Sequence, residues 1–252
     1  MRRFTLAPDR IHGDRVTFDP EESRHMTRVL RLGPGDVVVA GDGAGRDYTV
    51  RLESLGDTAA GTIVGVSANQ AESPLAVTLV QGVPKGDRME AIVQALTQLG
   101  VRRVAPALTE RVVVRLEPGR WRERARRWQR VAREAAKQCG RAVVPEVEPP
   151  APLTDRLGLA DTVELALCLW EGRARPLGEV LDAAAAGEPP RSIAVLVGPE
   201  GGLARTEVEA AEERGWQVVG LGPRILRTET AGPVIAAVLQ FRFGDLAGRG
   251  GV

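Results

Sequence analysis

SIAVLVGPEGGL, residues 192–203, runs an apolar, β-branched stretch straight into a glycine-rich turn, and the amphipathic segment TEVEAAEERG follows it. Read in order, this is strand, loop and helix. In a parallel α/β sheet such a loop lies beyond the carboxyl end of its strand, where glycines admit close backbone approach and free N–H groups can face a ligand. A tight strand-to-helix turn accounts for the same residues, so the motif alone leaves both readings open. The following strand, QVVGL, ends in LGPRILRTETA, residues 221–231. If the two strands are neighbours, both loops open onto one edge of the sheet. A bland turn needs neither Arg224 nor Arg227, and Ile225 with Leu226 offers apolar walls for a ligand part such as a purine. Glu229 and Thr230 stand where a helix start needs acceptors, with Pro233 opening the helix, so capping is their alternative role.

Outward from these loops, strands alternate with long amphipathic helices from about residue 73 onward. AVTLVQG precedes a helix from Arg88 to Leu99, RVAPAL precedes a long helix from Pro118 to Cys139, and ELALCLW precedes a helix near 176–186. A last helix is expected from Thr230 to Phe243. This order predicts an α/β domain with a mainly parallel sheet over residues 73–252. Residues 1–72 read differently. VTFDP, GDVVVAGDGAG, DYTVRLESL and GTIVGVS are short alternating runs between Gly, Asp and Pro, the pattern of a small antiparallel barrel or sandwich. One helix interrupts them, EESRHMTRVLRL, with Met26, Val29, Leu30 and Leu32 on its apolar stripe. GDGAG lacks the third glycine of a dinucleotide fingerprint and reads as a hairpin turn.

Hydrophobic residues are 43% and charged residues 27% of the 252, an ordinary globular mixture. No apolar run is long enough to span a bilayer, and MRRFTLAPDRIHGDR lacks the apolar middle of a signal peptide, so a cytoplasmic protein without membrane association is expected. Cys139 and Cys168 lack metal-ligand spacing, and only His12 and His25 could supplement them, so no metal is expected.

Net charge is only +1, yet all but two of the 34 basic residues are arginine, which fits a GC-rich genome or a use for planar phosphate donors. The densest region is residues 111–139. Trp121, Ala125, Trp128, Ala132 and Ala135 recur at helical spacing as an apolar face, leaving Arg120, Arg124, Arg127 and Arg130 elsewhere, as an RNA or partner surface or a solvated face. Arg24, His25, Arg28 and Arg31 form a weaker cluster with the same two readings. In PKGDRME, Lys85 and Arg88 are candidates for phosphate contact, although no Walker motif is present.

Five stretches in order, RHMTRVLRLGPGD, PKGDRMEAIVQALTQLGV, REAAKQCGRAVVPEV, VGPEGGL and LGPRILRTETA, make the sequence resemble SPOUT-class RNA methyltransferases. Within that class it resembles the bacterial 16S ribosomal RNA uridine-N3 methyltransferases, over nearly the full chain. The resemblance implies an N-terminal PUA-like β-barrel for RNA and a C-terminal α/β domain with a trefoil knot. It further implies S-adenosylmethionine bound in the knot, a homodimer with sites near the subunit interface, and a uridine in helix 44 of 16S rRNA of the small ribosomal subunit as substrate. Carried over residue by residue, Gly198, Pro199, Gly201 and Gly202 fall in the first cofactor loop, and Leu221, Gly222, Ile225, Leu226, Thr230 and Ala231 in the second. Gly232 and Pro233 depart from the pattern, where a small helix former such as alanine is expected.

Methylation at uridine N3 requires loss of the imide proton, since the neutral nitrogen has no nucleophilic lone pair. Arg227 is the candidate for stabilising the resulting anion, and Glu229 or Glu200 for accepting the proton or positioning the donor. N3 lies on the Watson–Crick edge, so the base must be unpaired or extruded. The alternatives are a SPOUT enzyme acting on another RNA position and a catalytically inactive RNA-binding assembly factor.

Overall fold

The computed structural model describes residues 2–114 and 116–248. Their contacts cluster into two units: residues 1–72 with Arg133–Val144, and Ser73–Ala132 with Pro145–Val252.

The first unit carries β1 (Arg3–Thr5), β2 (Ile11–His12), β3 (Arg15–Thr17), β4 (Val37–Gly41), β5 (Arg46–Ser54) and β6 (Ala60–Ala68). They form one sheet in the order β1-β4-β5-β6-β3-β2, antiparallel except where β1 pairs β4. Alternation works as the period of a strand demands: Tyr48, Val50 and Leu52 of β5 turn inward with Val38, Ala40, Phe4 and Phe18. GDGAG is the β4–β5 hairpin, where Gly43 and Gly45 take φ of 77° and 105° and the Asp42 carboxylate accepts from the Ala44 and Arg46 amides.

The helix expected across EESRHMTRVLRL is shorter and changes pitch. Helix α1 (Pro20–Arg24) starts on Asp19, whose carboxylate accepts from Glu22 N at 2.8 Å, and then widens into a π turn over His25–Val29. The Leu30 amide consequently bonds to His25 O at 3.0 Å. Adding a residue to the turn rotates the face, so Met26 is followed inward by Leu30, and Val29 is left 68% exposed instead of joining the stripe.

In the second unit every strand pair is parallel. The strands are β7 (Ala76–Gly82), β8 (Arg103–Leu108), β9 (Glu146–Val147), β10 (Ala151–Pro152), β11 (Leu165–Leu169), β12 (Arg175–Pro176), β13 (Ser192–Val197) and β14 (Gln217–Gly220). Their order is β10-β8-β7-β13-β11-β14-β12, with β9 beside β8. The helices are α2 (Arg88–Gln98), α3 (Pro118–Cys139), whose residues from Arg133 onward belong to the first unit, α4 (Leu153–Leu157), α5 (Leu177–Ala185), α6 (Arg205–Glu213) and α7 (Thr228–Phe243). Helix α2 buries Met89, Ile92, Val93 and Leu96, the spacing that lays one stripe on a sheet. Trp121, Ala125, Trp128, Ala132 and Ala135 of α3 are likewise buried.

Two expectations change here. Strands β13 and β14 are not neighbours, because β11 pairs with both. All three are parallel, however, so their carboxyl ends still share an edge. Helix α7 begins at Thr228, two residues before the expected start, and Pro233 lies inside it. Lacking an N–H, Pro233 leaves the Glu229 carbonyl without its i+4 helix bond.

Candidate active site

At the carboxyl edge of the second sheet, the loop after β13 turns on a Gly202 N to Pro199 O bond of 2.9 Å. Gly202 has φ of 70°, and a side chain there would also meet Glu171, whose Oε1 lies 2.5 Å from the Cβ position. The positive φ calls for glycine, while the Glu171 carboxylate, at the end of a flexible side chain, would have only to shift. Gly198 is confined, since a Cβ would fall 2.8 Å from the Gly202 carbonyl carbon. Pro199 is buried and Gly201 exposed, and Arg111 from the loop after β8 donates to Gly201 O at 2.8 Å.

The loop after β14 is more open. Gly222 takes φ of 78° with no atom near its Cβ position, and Ile225 is 85% exposed, while Leu221, Leu226 and Ala231 are half-buried. Thr230 N closes the first turn of α7 on Arg227 O at 2.8 Å. Arg227 caps the helix through its backbone, and its side chain stays in solvent.

The charged candidates meet around Arg88. Its Nη1 lies 2.6 Å from Glu200 Oε1, and its Nε lies 3.7 Å from Glu229 Oε1. Arg227 Nη1 stands 3.9 Å from the same Glu229 oxygen. Glu200 also accepts from Lys85 N at 2.9 Å, while the Lys85 side chain itself is exposed. The structure thus gathers Arg88, Glu200, Glu229 and Arg227 into one chain of alternating charge that joins the first turn of α2, the loop after β13 and the start of α7. Of the other basic candidates, Arg127 pairs with Glu90 at 2.8 Å and Arg124 lies over the Trp121 ring at 5.9 Å. In the first unit Arg24, Arg28 and Arg31 are exposed, whereas His25 packs edge-on against Phe4 at 6.0 Å.

Several residues at this edge carried no separate signal in the sequence. Glu171 arrives because β11 lies between β13 and β14. Gln81 and Thr228 join the two loops beneath the surface: Gln81 Nε2 donates to Thr228 Oγ1 at 2.9 Å, and Thr228 Oγ1 donates to Gly198 O at 2.7 Å. A lone amide in the apolar strand AVTLVQG was the available hint. Gly82 is pressed against the loop, its Cβ position 2.5 Å from Pro199 Cδ.

Cys168 of β11 is inert. Burial, then the charges of Glu212, Glu207 and Glu171, push its thiol up to about 12, so no thiolate forms near neutrality. Among the described residues, no group of three or more His, Cys, Asp or Glu side chains is gathered for a metal ion. No described helix is long and apolar enough to cross a membrane. A cavity of about 660 Å³ lined by Val180, Ala183, Glu188, Arg191 and Gln217 opens at the opposite, amino edge of the sheet, away from the glycine loops.

Comparison with known proteins gives the family. Residues 71–240 match an RNA methyltransferase domain family, and residues 18–61 match an RNA methyltransferase PUA domain. The chain is 36% identical over 243 residues to ribosomal RNA small subunit methyltransferase E of Synechocystis, covering 94% of this chain and 77% of that one. It is 33% identical to the Bacillus subtilis protein of the same name, covering 84% of each. The crystal structure of ribosomal RNA small subunit methyltransferase E from Neisseria gonorrhoeae bound to S-adenosylmethionine superposes with a TM-score of 0.85 at 34% identity, covering 98% of this chain and 99% of that one.

Proposed function

Because the chain belongs to the ribosomal RNA small subunit methyltransferase E family of RNA methyltransferases, we propose that it methylates 16S rRNA of the small ribosomal subunit using S-adenosylmethionine. The finer reading is methylation of N3 of a uridine in helix 44. The observation that carries the proposal is the pairing of two glycine-bearing loops at one sheet edge with the Arg227–Glu229–Arg88–Glu200 chain of charge between them.

The residues present fit the cofactor. Gly198, Pro199, Gly201 and Gly202 would bring backbone close to it, and Leu221, Gly222, Ile225, Leu226, Thr230 and Ala231 would supply apolar and backbone walls. An isoleucine that is 85% exposed at the rim is explained by such an occupant. S-adenosylmethionine supplies an electrophilic methyl group on a sulfonium.

This chain's own contribution is to prepare the base. Arg227, extended into solvent, reaches over the imide and stabilises the anion left when N3 loses its proton. Glu229 accepts that proton: its nearest cations stand at 3.7 and 3.9 Å, which leaves carboxylate lone pairs free. Glu200 is engaged by two donors at 2.6 and 2.9 Å and acts by positioning Arg88.

Arg24, His25, Arg28 and Arg31 in the first unit, and Lys85, Arg88, Arg124 and Arg127 in the second, belong to the proposal as RNA contacts. Arg122, Arg126 and Arg130 join them, since they repeat once per turn on α3, are exposed, and have no ion-pair partner among the described residues. A homodimer is supported by Phe241 and Leu246, apolar and exposed at the end of α7 and just beyond it. The strand order β7-β13-β11-β14 supports a trefoil knot. A ribosomal RNA substrate implies work in the cytoplasm.

The test is transfer of labelled methyl from S-adenosylmethionine to small subunits lacking the modification, followed by nucleoside mass spectrometry. N3-methyluridine is expected. A different methylated nucleoside would replace the target, and cofactor binding without transfer to any RNA would favour the inactive assembly factor.

A further inference from the structure

Gln81 is fully buried near the end of β7, directly after the buried apolar residues Leu79 and Val80. An amide in that position destabilises the fold unless its polar atoms are satisfied. Its Nε2 donates to Gly82 O at 3.0 Å and to Thr228 Oγ1 at 2.9 Å, and lies 3.4 Å from Gly198 O. The directions are fixed by chemistry. A carbonyl oxygen only accepts, so the Thr228 hydroxyl spends its single proton on Gly198 O at 2.7 Å and must receive from Gln81.

Each member of this relay belongs to a different part of the site. Gly198 opens the loop after β13, Thr228 is the first residue of α7 where the loop after β14 ends, and Gln81 is fixed in the sheet. Two glycines remove the slack around it. At Gly82 a Cβ would fall 2.6 Å from Pro199 N, and at Gly232 it would fall 3.0 Å from Leu79 Cδ2 and 3.3 Å from Gln81 Oε1. That Oε1 is buried without a hydrogen-bond partner among the described residues. The amide is therefore oriented for its donors, with its acceptor left unused, a costly choice for a group serving stability alone.

We propose that Gln81 and Thr228 are positioning residues that lock the two loops into one geometry, so that cofactor affinity depends on a hydroxyl that faces the sheet and not the ligand. The inference rests on the reading that these loops hold S-adenosylmethionine. By locking the loops before binding, the relay removes an ordering penalty that the ligand would otherwise meet. It also gives Gly232, the departure from the expected alanine, a reason: a methyl there presses on the Gln81 amide.

Calorimetry with S-adenosylmethionine on the full-length protein, alongside melting of the ligand-free protein, tests this. Thr228→Val, which keeps shape and removes the hydroxyl, is expected to weaken binding about tenfold or more, as loss of one buried hydrogen bond predicts. Thr228→Ser is expected to restore binding to within about threefold, and KM for RNA at saturating cofactor should not move. Gly232→Ala separates this from a merely structural role: helix propensity alone predicts higher melting with unchanged affinity, whereas the relay predicts weaker binding. Should Thr228→Val fail to fold, the Gly232→Ala and Thr228→Ser pair carries the same comparison. Thr228→Val binding as tightly as the unsubstituted protein, or Ser and Val losing affinity equally, overturns the relay. No binding by the unsubstituted protein overturns the assignment of the loops themselves.

Discussion

Arg88 Nη1 stands 2.6 Å from Glu200 Oε1, which ties the first turn of α2 to the loop after β13. Both side chains are substantially exposed, at 44% and 30%, so the pair adds at most about 1 kcal/mol to stability. Its significance is geometric. Arg88→Ala is expected to leave the melting temperature nearly unchanged and to lower kcat about tenfold or more, because Glu200 and Glu229 lose the cation they share. Arg88→Lys should recover only part of this, since an ammonium cannot reach both carboxylates as a guanidinium fork does. Equal kcat for all three proteins would remove Arg88 from the site.

Gly82 makes a sharper prediction. A methyl there overlaps Pro199 Cδ and N and the Gly198 carbonyl carbon, two of the three being backbone atoms that cannot rotate away. Gly82→Ala is expected to cost about 1–3 kcal/mol by overpacking and to abolish detectable cofactor binding in the protein that remains folded. Chemical denaturation and calorimetry read the two effects separately, and normal affinity would show that the loop yields without consequence.

In the first unit, Lys137 and Glu22 form a buried ion pair of 2.5 Å. Burial opposes the Lys137 charge, but hydrogen bonds and charge from Glu22 and Glu134 outweigh it and raise its pKa above the usual 10.5. A raised folded-state pKa means stabilisation that is fully present below about 10.5 and is lost as pH climbs through the higher folded value. Lys137→Met should therefore cost about 3–5 kcal/mol at pH 8, by stranding Glu22, and the gap to the unsubstituted protein should narrow above pH 11. Urea melts at the two pH values check the sign; a gap that widens with pH would contradict it.

Arg122, Arg126 and Arg130 predict a salt effect. If all three neutralise phosphates, replacing them with glutamine lowers the slope of log affinity against log salt by about 2–3, as counterion release requires. Replacing Arg205, which pairs with Glu209 at 2.8 Å, serves as the control and should leave the slope unchanged. Identical slopes for the triple variant and the unsubstituted protein would assign the stripe to solvent.

Local chemistry made much of this architecture readable in advance. SIAVLV, AVTLVQG and RVAPAL carry the apolar continuity of strands covered on both faces, and Pro118 to Cys139 carries an unbroken helical period, so these elements fall where their residues put them. Pairing across long stretches of chain was not readable. Nothing in LALCL says that it enters between β13 and β14, because strand order is decided by tertiary packing and not by period. Gln81 escaped for a related reason: a polar residue in a strand has meaning only once its partners, Thr228 and Gly198, are brought beside it. At Val29 and Pro233 the local rules themselves misled, the first because a π turn changes the period and the second because a proline favoured at helix starts here sits inside one.

The insertion of β11 between β13 and β14 also governs when the protein becomes competent during folding. The register Ser192↔Ala76 and the register Cys168↔Val218 close long stretches of chain, and both loops acquire their places only after those closures. Parallel pairings of this separation form late and slowly. A chain emerging from the ribosome is therefore expected to complete the strands of residues 18–61, which match the RNA methyltransferase PUA domain, before the glycine loops can meet.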